Sequence, residues 1–353
     1  MKINKLLSDR LEACYSVCRL QNQDYDFLLV ASEVDQACFA YDLNSDLAKI
    51  VVWEDVGGTM SIIPIPGTMD FLATQKFYPG FKAKDCQVVY ASFQGDHWDI
   101  CNAFDFPYLH RFDLIKGKEN QLYFIGCTIA NSKAHTEDWS DKGRIFVARF
   151  NTQNHTLEGL QQLPQTLLKN HGYYAIQDEG YSLITSVEGV FKLTYPEFST
   201  TGDWQLERLF DEETSDVVKV DINQDGKDEY VIIQGFHGDR LRIFTEDFGR
   251  ELFHYPEKTP FGHAIWSGRL LNQTCFVFGW RSEKAELRLF HFVDGHLVSE
   301  LVDAKAASSN VLAFEKDGKA YLFSANNGRG EVALYQLASQ KQRKRGQSQK
   351  KRR

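Results

Sequence analysis

No run of 18 apolar residues occurs anywhere in this 353-residue chain, so the sequence offers no membrane-spanning segment. Met1 to Val17 carries Asp9, Arg10 and Glu12 where a secretory signal would need an apolar stretch, and a cytoplasmic protein is the expectation. Cysteine is sparse and irregular. Seven residues, an odd number without a repeated short spacing, do not make a disulfide framework, and all seven read as reduced thiols in or near a core. Cys14 and Cys18 lie four apart on one predicted strand and are expected to share a face, but a single strand cannot close a structural zinc site. Common catalytic signatures are missing as well. There is no G-x-S-x-G elbow, no Walker A loop, no H-E-x-x-H and no C-x-x-C. Gly57-Gly58-Thr59 leads into a strand and not a helix, which makes a poor phosphate cradle. No amphipathic helix of three turns is found.

What the chain does have is hydrophobic and aromatic residues, 43% and 13% of the total, enough for a large core and incompatible with disorder of the body. These residues recur in a repeat. Seven marker residues, Cys14, Thr59, His110, His171, Asp216, His263 and Asn310, follow one another at intervals of 45 to 61 residues. Each precedes a short strand-like run, a turn, and a more apolar strand such as Tyr123-Phe124-Ile125 or Tyr230-Val231-Ile232, which begins 11 to 14 residues after the marker. Turn dipeptides Asp225-Gly226, Asp294-Gly295 and Asp317-Gly318 punctuate the runs. Short strands at this period predict an all-β, seven-bladed β-propeller of four-stranded blades, A to D from the axis outward, over residues 1–339.

The seventh repeat stops after Glu331-Val332-Ala333-Leu334-Tyr335 with no D strand, while Ile3-Asn4-Lys5-Leu6-Leu7 precedes the first repeat and reads like the other D strands. The N-terminal strand is therefore expected to complete the last blade and remove its exposed edge. The alternative is a frayed N-terminus beside a three-stranded blade. From Lys341 to Arg353 the chain holds eight Lys and Arg residues; removing them from the net charge of −8 leaves −16 on the rest. An acidic body does not read as a nucleic-acid binder. The basic tail, 340–353, has no apolar periodicity, is expected to be disordered, and could contact RNA or an anionic surface.

Between strands A and B of the fifth repeat, Asp221-Ile222-Asn223-Gln224-Asp225-Gly226-Lys227-Asp228-Glu229 places oxygen ligands Asp221, Asn223, Asp225 and Glu229 at positions 1, 3, 5 and 9, with Gly at 6 for a tight turn. That spacing suits Ca²⁺. Ile232 stands where an EF-hand needs its twelfth-position Glu, so this is not an EF-hand. The loop and the strand after it resemble the D-x-D/N-x-D-G-x-x-D/E signature of FG-GAP or VCBS-type propeller repeats, intact in this one repeat only. The resemblance implies a structural Ca²⁺ on the face away from the markers. A solvated acidic turn is the alternative.

In a propeller, strand A lines the axial channel, and its entry lies on the same face as the B–C loops. His110, His171, Asp216 and His263 should then ring the channel mouth as ligands of a divalent transition metal, Zn, Mn or Fe. The B–C loops would add Lys76, Tyr78, Lys133, Trp139, His237, Arg240 and Arg281, a set suited to a small polar or anionic ligand such as a carbohydrate. At fold level the layout is similar to oligogalacturonate lyases and to the propeller of aldos-2-ulose dehydratases. That analogy implies a metal-dependent lyase, dehydratase or isomerase on a sugar or sugar acid. His237 or Tyr78 would abstract a proton, and Arg240, Arg281 or Lys76 would hold the anionic intermediate. The competing expectation is a non-catalytic scaffold for protein partners, with the histidines as hydrogen-bonded structural residues.

Overall fold

A four-stranded sheet with apolar residues on both faces cannot stand alone in water. It needs a neighbour on each side, and a ring of such sheets supplies one to every member. The computed structural model, described here for residues 1–78, 80–117, 121–196 and 202–338, is that ring. Seven antiparallel sheets follow in chain order, with A strands Cys14–Gln21, Ile62–Pro64, Leu109–Lys116, Tyr173–Ile176, Thr214–Val220, Gly262–Leu270 and Asn310–Lys316. Seven buried clusters lie between adjacent blades. Phe27, Phe71 and Trp98 fill the space between blades 1 and 2. Between blades 5 and 6, Phe276 and Phe290 stack at 4.6 Å beside Trp280. Among the described residues the helical segments are short 3₁₀ turns, Gly80–Asp85, Gln177–Glu179 and Asn327–Arg329.

The ring is closed by the N-terminal strand. Lys2–Arg10 pairs antiparallel with Glu331–Ala338, from Lys2 opposite Ala338 to Arg10 opposite Glu331. Lys5 fixes the register with ion pairs to Asp303 at 2.8 Å and Glu331 at 2.9 Å. Blade 3 departs from the four-strand plan. Ala130–Ser132, inside the predicted B–C loop, pairs with the start of the long C strand Asp141–Asn151, which carries Thr156–Leu167 on its other edge. The basic tail lies outside the described residues.

At the mouth end, side chains at or beside the entry of strand A reach the backbone carbonyl at the entry of the next blade. The Ser16 hydroxyl donates to Thr59 O at 3.1 Å, and Ser61 to His110 O at 3.3 Å. His110 Nδ1 meets His171 O at 3.0 Å, His171 Nδ1 meets Ser215 O at 3.0 Å, and His263 Nδ1 meets Ser309 O at 2.6 Å. Ser309 and Asn310 link blade 7 back to blade 1 by donating to Cys14 O and Tyr15 O, each at 2.9 Å. Between blades 5 and 6 no such side-chain bond is found among the described residues; there the Gly262 N–H donates to Gly238 O at 2.8 Å.

The entry of strand A is also where the pairing register slips. Strand A is bulged between Cys14 and Ser16, Leu109 and Arg111, Thr214 and Asp216, and Gly262 and Ala264. The residues left opposite no partner are Tyr15, His110, Ser215 and His263. Blades 1 and 5 are thus offset by one residue from the spacing read in the sequence: Tyr15 and Ser215, not Cys14 and Asp216, are the equivalents of His110 and His263. A bulge turns the following side chains to the other face. For that reason Cys14 and Cys18 do not share a face. Cys14 packs in the cluster between blades 7 and 1, Cys18 in the one between blades 1 and 2. All seven cysteines are free thiols, and of these Cys101 is exposed.

Deleting residues 1–8 removes most of the closing strand and the Lys5 ion pairs, and uncovers the outer edge of Glu331–Ala338. With each lost backbone bond worth about 1 kcal/mol, the melting temperature should fall by roughly 10 °C or more. Equal melting of truncated and intact protein in a calorimetric scan would show that the ring does not depend on this strand.

Candidate functional site at the channel mouth

His171 and His263 are buried at A-strand entries, held by the inter-blade bonds just described. Those bonds decide the protonation of the rings. A carbonyl oxygen only accepts, so each Nδ1 carries the hydrogen, and in a neutral ring Nε2 keeps a bare lone pair. Burial holds both imidazoles, and His110, well below the usual imidazole pKa, so they are neutral. The third ring comes from the B–C loop of blade 5. Gly235 (φ +80°) and His237 (φ +49°) turn the chain sharply, and a Cβ on Gly238 would lie 1.6 Å from the Gln234 carbonyl oxygen. Only glycine closes this turn, which carries His237 over the mouth. Burial, and then the charges of Arg281 and Lys169, lower its pKa to about 3.

The result is convergence. His237 Nε2 stands 3.2 Å from His171 Nε2, and ligand atoms of His171, His237 and His263 all lie within 4.8 Å of one another. The Tyr15 hydroxyl is 3.3 Å from His263 Nε2 and accepts a long bond, 3.5 Å, from Arg111. Above the rings opens a cavity of about 480 Å³ walled by Phe77, Trp139, Phe236 and Phe261. Three cations lie on these aromatic faces. Lys133 Nζ is 3.2 Å from the Trp139 ring centre, Lys169 Nζ 4.7 Å from that of Phe236, and the Arg281 guanidinium 4.7 Å from that of Phe261. Arg281 is paired with Glu33 at 3.4 Å and bonded to Asn327. Among the described residues neither Lys133 nor Lys169 has an ion pair or a hydrogen bond. The Lys133–Trp139 segment is held in shape by Asp138, which accepts from the N–H groups of Ala134 and Ser140, both at 3.0 Å.

Beneath the histidines the channel holds a second cavity of about 290 Å³, lined by Arg111, Asp113, Tyr173 and Asp216 among others. Burial raises Asp216 to about 6 against the pull of Arg111, and raises Asp113 to about 6 against bonds from the Leu114 N–H and the Tyr173 hydroxyl.

The structure brings together part of the set read from the sequence. His171, His263, His237, Arg281, Lys133 and Trp139 line the mouth cavity. His110 also borders it, but its ring lies tilted against His171 at 4.7 Å and is outside the converging trio. Asp216 is displaced by the one-residue bulge, so its carboxyl lines the channel below and not the mouth. Lys76 bonds Gln87 at 3.0 Å, Tyr78 bonds Asp35 at 3.0 Å, and Arg240 borders a pocket with Glu212 and Glu257; none of the three lines the mouth cavity. Tyr15, Glu33, Lys169 and Phe261 were not singled out in the sequence. Lys169 and Phe261 stand two residues before His171 and His263, so the entry segments held a signal that attention to B–C loops missed.

The Asp221 loop lies between strands A and B of blade 5, and its side chains are engaged with the loop itself. Asp221 accepts from the N–H groups of Asp225 and Gly226, Asn223 from Asp225, and Asp225 from Lys227. Glu229 is buried, accepts from the Ile222 N–H at 3.0 Å, and is raised to about 7 by burial and by Asp225 and Asp221. Among the described residues, the His171, His237 and His263 group is where three His, Cys, Asp or Glu ligand atoms converge; Asp221, Asp225 and Glu229 do not make such a group.

No family model matches this chain, and no curated protein matches it. Solved structures do. The WD40 β-propeller domain of Doa1 is similar over 96% of this chain and 97% of its own, with TM-score 0.62 and 11% identity. A structure of BBS1N in complex with ARL6DN matches over 96% and 97%, with TM-score 0.58 and 11% identity. The Dos1 propeller matches over 89% and 76%, with TM-score 0.55 and 12% identity. The chain is a seven-bladed β-propeller, and identities this low carry the fold alone.

Asp216 is harder to ionise in the fold than in an unfolded chain, where it titrates near 3.8. Its contribution to stability is therefore whole below that value and lost as pH rises to about 6. Asp216→Asn should gain on the parent by about 1–3 kcal/mol between pH 3.5 and 7 in urea unfolding. Parallel stability curves for the two proteins would show that the carboxyl is not confined in the channel as described.

Proposed function

We propose that the protein is a non-catalytic binding propeller whose mouth holds an acidic, partly apolar segment of a protein partner. One observation carries this reading: Lys133 and Lys169 lie on the faces of Trp139 and Phe236 at the rim of a cavity that Glu137 also lines, and among the described residues neither lysine is in an ion pair. Two ammonium groups held side by side on apolar walls repel each other, and a carboxylate between them relieves the repulsion while a neighbouring apolar side chain fills the aromatic pocket. The body of the chain is acidic, whereas in the mouth lining Lys133, Lys169 and Arg281 outnumber Glu33 and Glu137, so the excess of positive charge there is local. A protein ligand is also in keeping with the propeller neighbours, one of which, BBS1N, is seen in complex with another protein, ARL6DN.

A second reading, the metal-dependent lyase or isomerase on a sugar acid, has the converging imidazoles in its favour. It is weaker because the two residues named for proton abstraction are otherwise engaged. His237 stands within the imidazole cluster, and Tyr78 is bonded to Asp35 away from the cavity. Of the anion-holding residues it calls on, Arg281 alone lines the mouth.

Selection of a random peptide library on the immobilised protein should enrich sequences with Asp or Glu beside Leu, Phe or Trp. Affinity of a selected peptide should fall at least about tenfold, or 1.4 kcal/mol, in both Lys133→Glu and Lys169→Glu, and should weaken with added salt. Enrichment without acidic residues, or peptides indifferent to both substitutions, would contradict the proposal.

A further inference from the structure

We infer that His171, His237 and His263 form a binding site for one divalent transition-metal ion, held by their Nε2 atoms with open coordination positions facing the mouth cavity. This goes beyond the peptide-binding reading and does not depend on it. Three observations support it independently.

The first is spacing. Imidazole nitrogens bind Zn²⁺ at about 2.1 Å, so two of them on a tetrahedral ion stand about 3.4 Å apart. His171 Nε2 and His237 Nε2 are already at 3.2 Å, and the third ring lies within 4.8 Å. The second is the state of the rings. Nδ1–H of His171 is committed to Ser215 O, and Nδ1–H of His263 to Ser309 O, which leaves the lone pairs of both Nε2 atoms toward the centre. Backbone carbonyls behind the ring are the usual partners of metal-bound histidines, because they fix the tautomer and aim the ligand. The third is the placement of the ligands. Two are set in buried strand entries, and the third rides on the Gly235–Gly238 turn, held in place by the Gly235 N–H on Glu213 O at 2.9 Å and by the Gly262 N–H on Gly238 O at 2.8 Å.

Without an ion the same atoms form a closed set of hydrogen bonds. His237 Nε2–H donates to His171 Nε2, and the Tyr15 hydroxyl donates to His263 Nε2. An ion would take over both lone pairs. His237 would shift its hydrogen to Nδ1, for which no partner is found among the described residues, and Tyr15 would release His263. Three neutral imidazoles with no carboxylate among them select Zn²⁺, Co²⁺, Ni²⁺ or Cu²⁺ over Ca²⁺ and Mg²⁺, which demand oxygen ligands.

The test uses the full chain, tag removed and stripped with chelator, then loaded with Zn²⁺ or Co²⁺ and desalted. The expected result is one equivalent of metal per chain by elemental analysis and a visible d–d spectrum with Co²⁺. His237→Ala should weaken Zn²⁺ binding at least about 100-fold and abolish the rise in melting temperature that Zn²⁺ gives the parent. His171→Ala and His263→Ala should do the same, but they also cut an inter-blade bond. The loop variant therefore decides the matter if they fail to fold. His254→Ala, on an exposed outer strand, should bind as the parent does. Less than about 0.2 equivalent retained by the parent, undiminished affinity in His237→Ala, or loss of the metal in His254→Ala would each overturn the inference.

Discussion

The propeller depends on one recurring contact: a side chain at the entry of an inner strand donating to the entry carbonyl of the next blade. Packing between blades is apolar and non-directional, and fixes neither how far the blades rotate about the axis nor how their inner strands align. A directed bond at the narrow end does both. Serine or asparagine makes this bond at some junctions and histidine at others. The difference matters because a hydroxyl ends at the bond, whereas an imidazole has a second nitrogen on its far side. Each histidine that bridges two blades through Nδ1 presents Nε2 elsewhere, and for His171 and His263 that is the centre of the mouth.

Structural and functional readings of these histidines are therefore compatible. The bridging role accounts for burial, neutrality and tautomer. It does not account for His237, which makes no bond to the entry carbonyl of the next blade and is carried inward on a turn that only glycine can close. Nor does it account for two lysines resting on aromatic rings without an ion pair among the described residues. These features lie on loops, free of the packing that ties down the strands, and loops are where propellers acquire their individual ligands.

The blade number, the strand order and the closure by Lys2–Arg10 were legible in the sequence because apolar alternation and turn residues repeat with the blade, and because a missing last strand and a spare first strand imply each other. The site was legible only in part. A marker spacing counts residues, and a β-bulge inserts one that does not advance the pairing. That is why Asp216 was placed at the mouth when Ser215 is there, and why Cys14 stood in for Tyr15. The sequence puts His237 on a B–C loop, but nothing in it shows that this turn would outrank His110 as the third ring of the cluster. Loop reach also misled. Lys76, Tyr78 and Arg240 share a loop class with Arg281, yet their side chains are held by Gln87 and Asp35 or turn toward an outer pocket.

The dual use of imidazole is the centre of this account, and the tautomers of His110, His171 and His263 report on it directly. Nitrogen-15 NMR of the histidine-labelled, metal-free protein at neutral pH distinguishes a protonated from a bare ring nitrogen. The account predicts that all three rings carry hydrogen on Nδ1, with Nε2 at the shift of an unprotonated nitrogen, while the exposed histidines give averaged signals. Rings protonated at Nε2, or exchanging between tautomers, would mean that the inter-blade bonds are not made as described and that no lone pairs are aimed at the mouth.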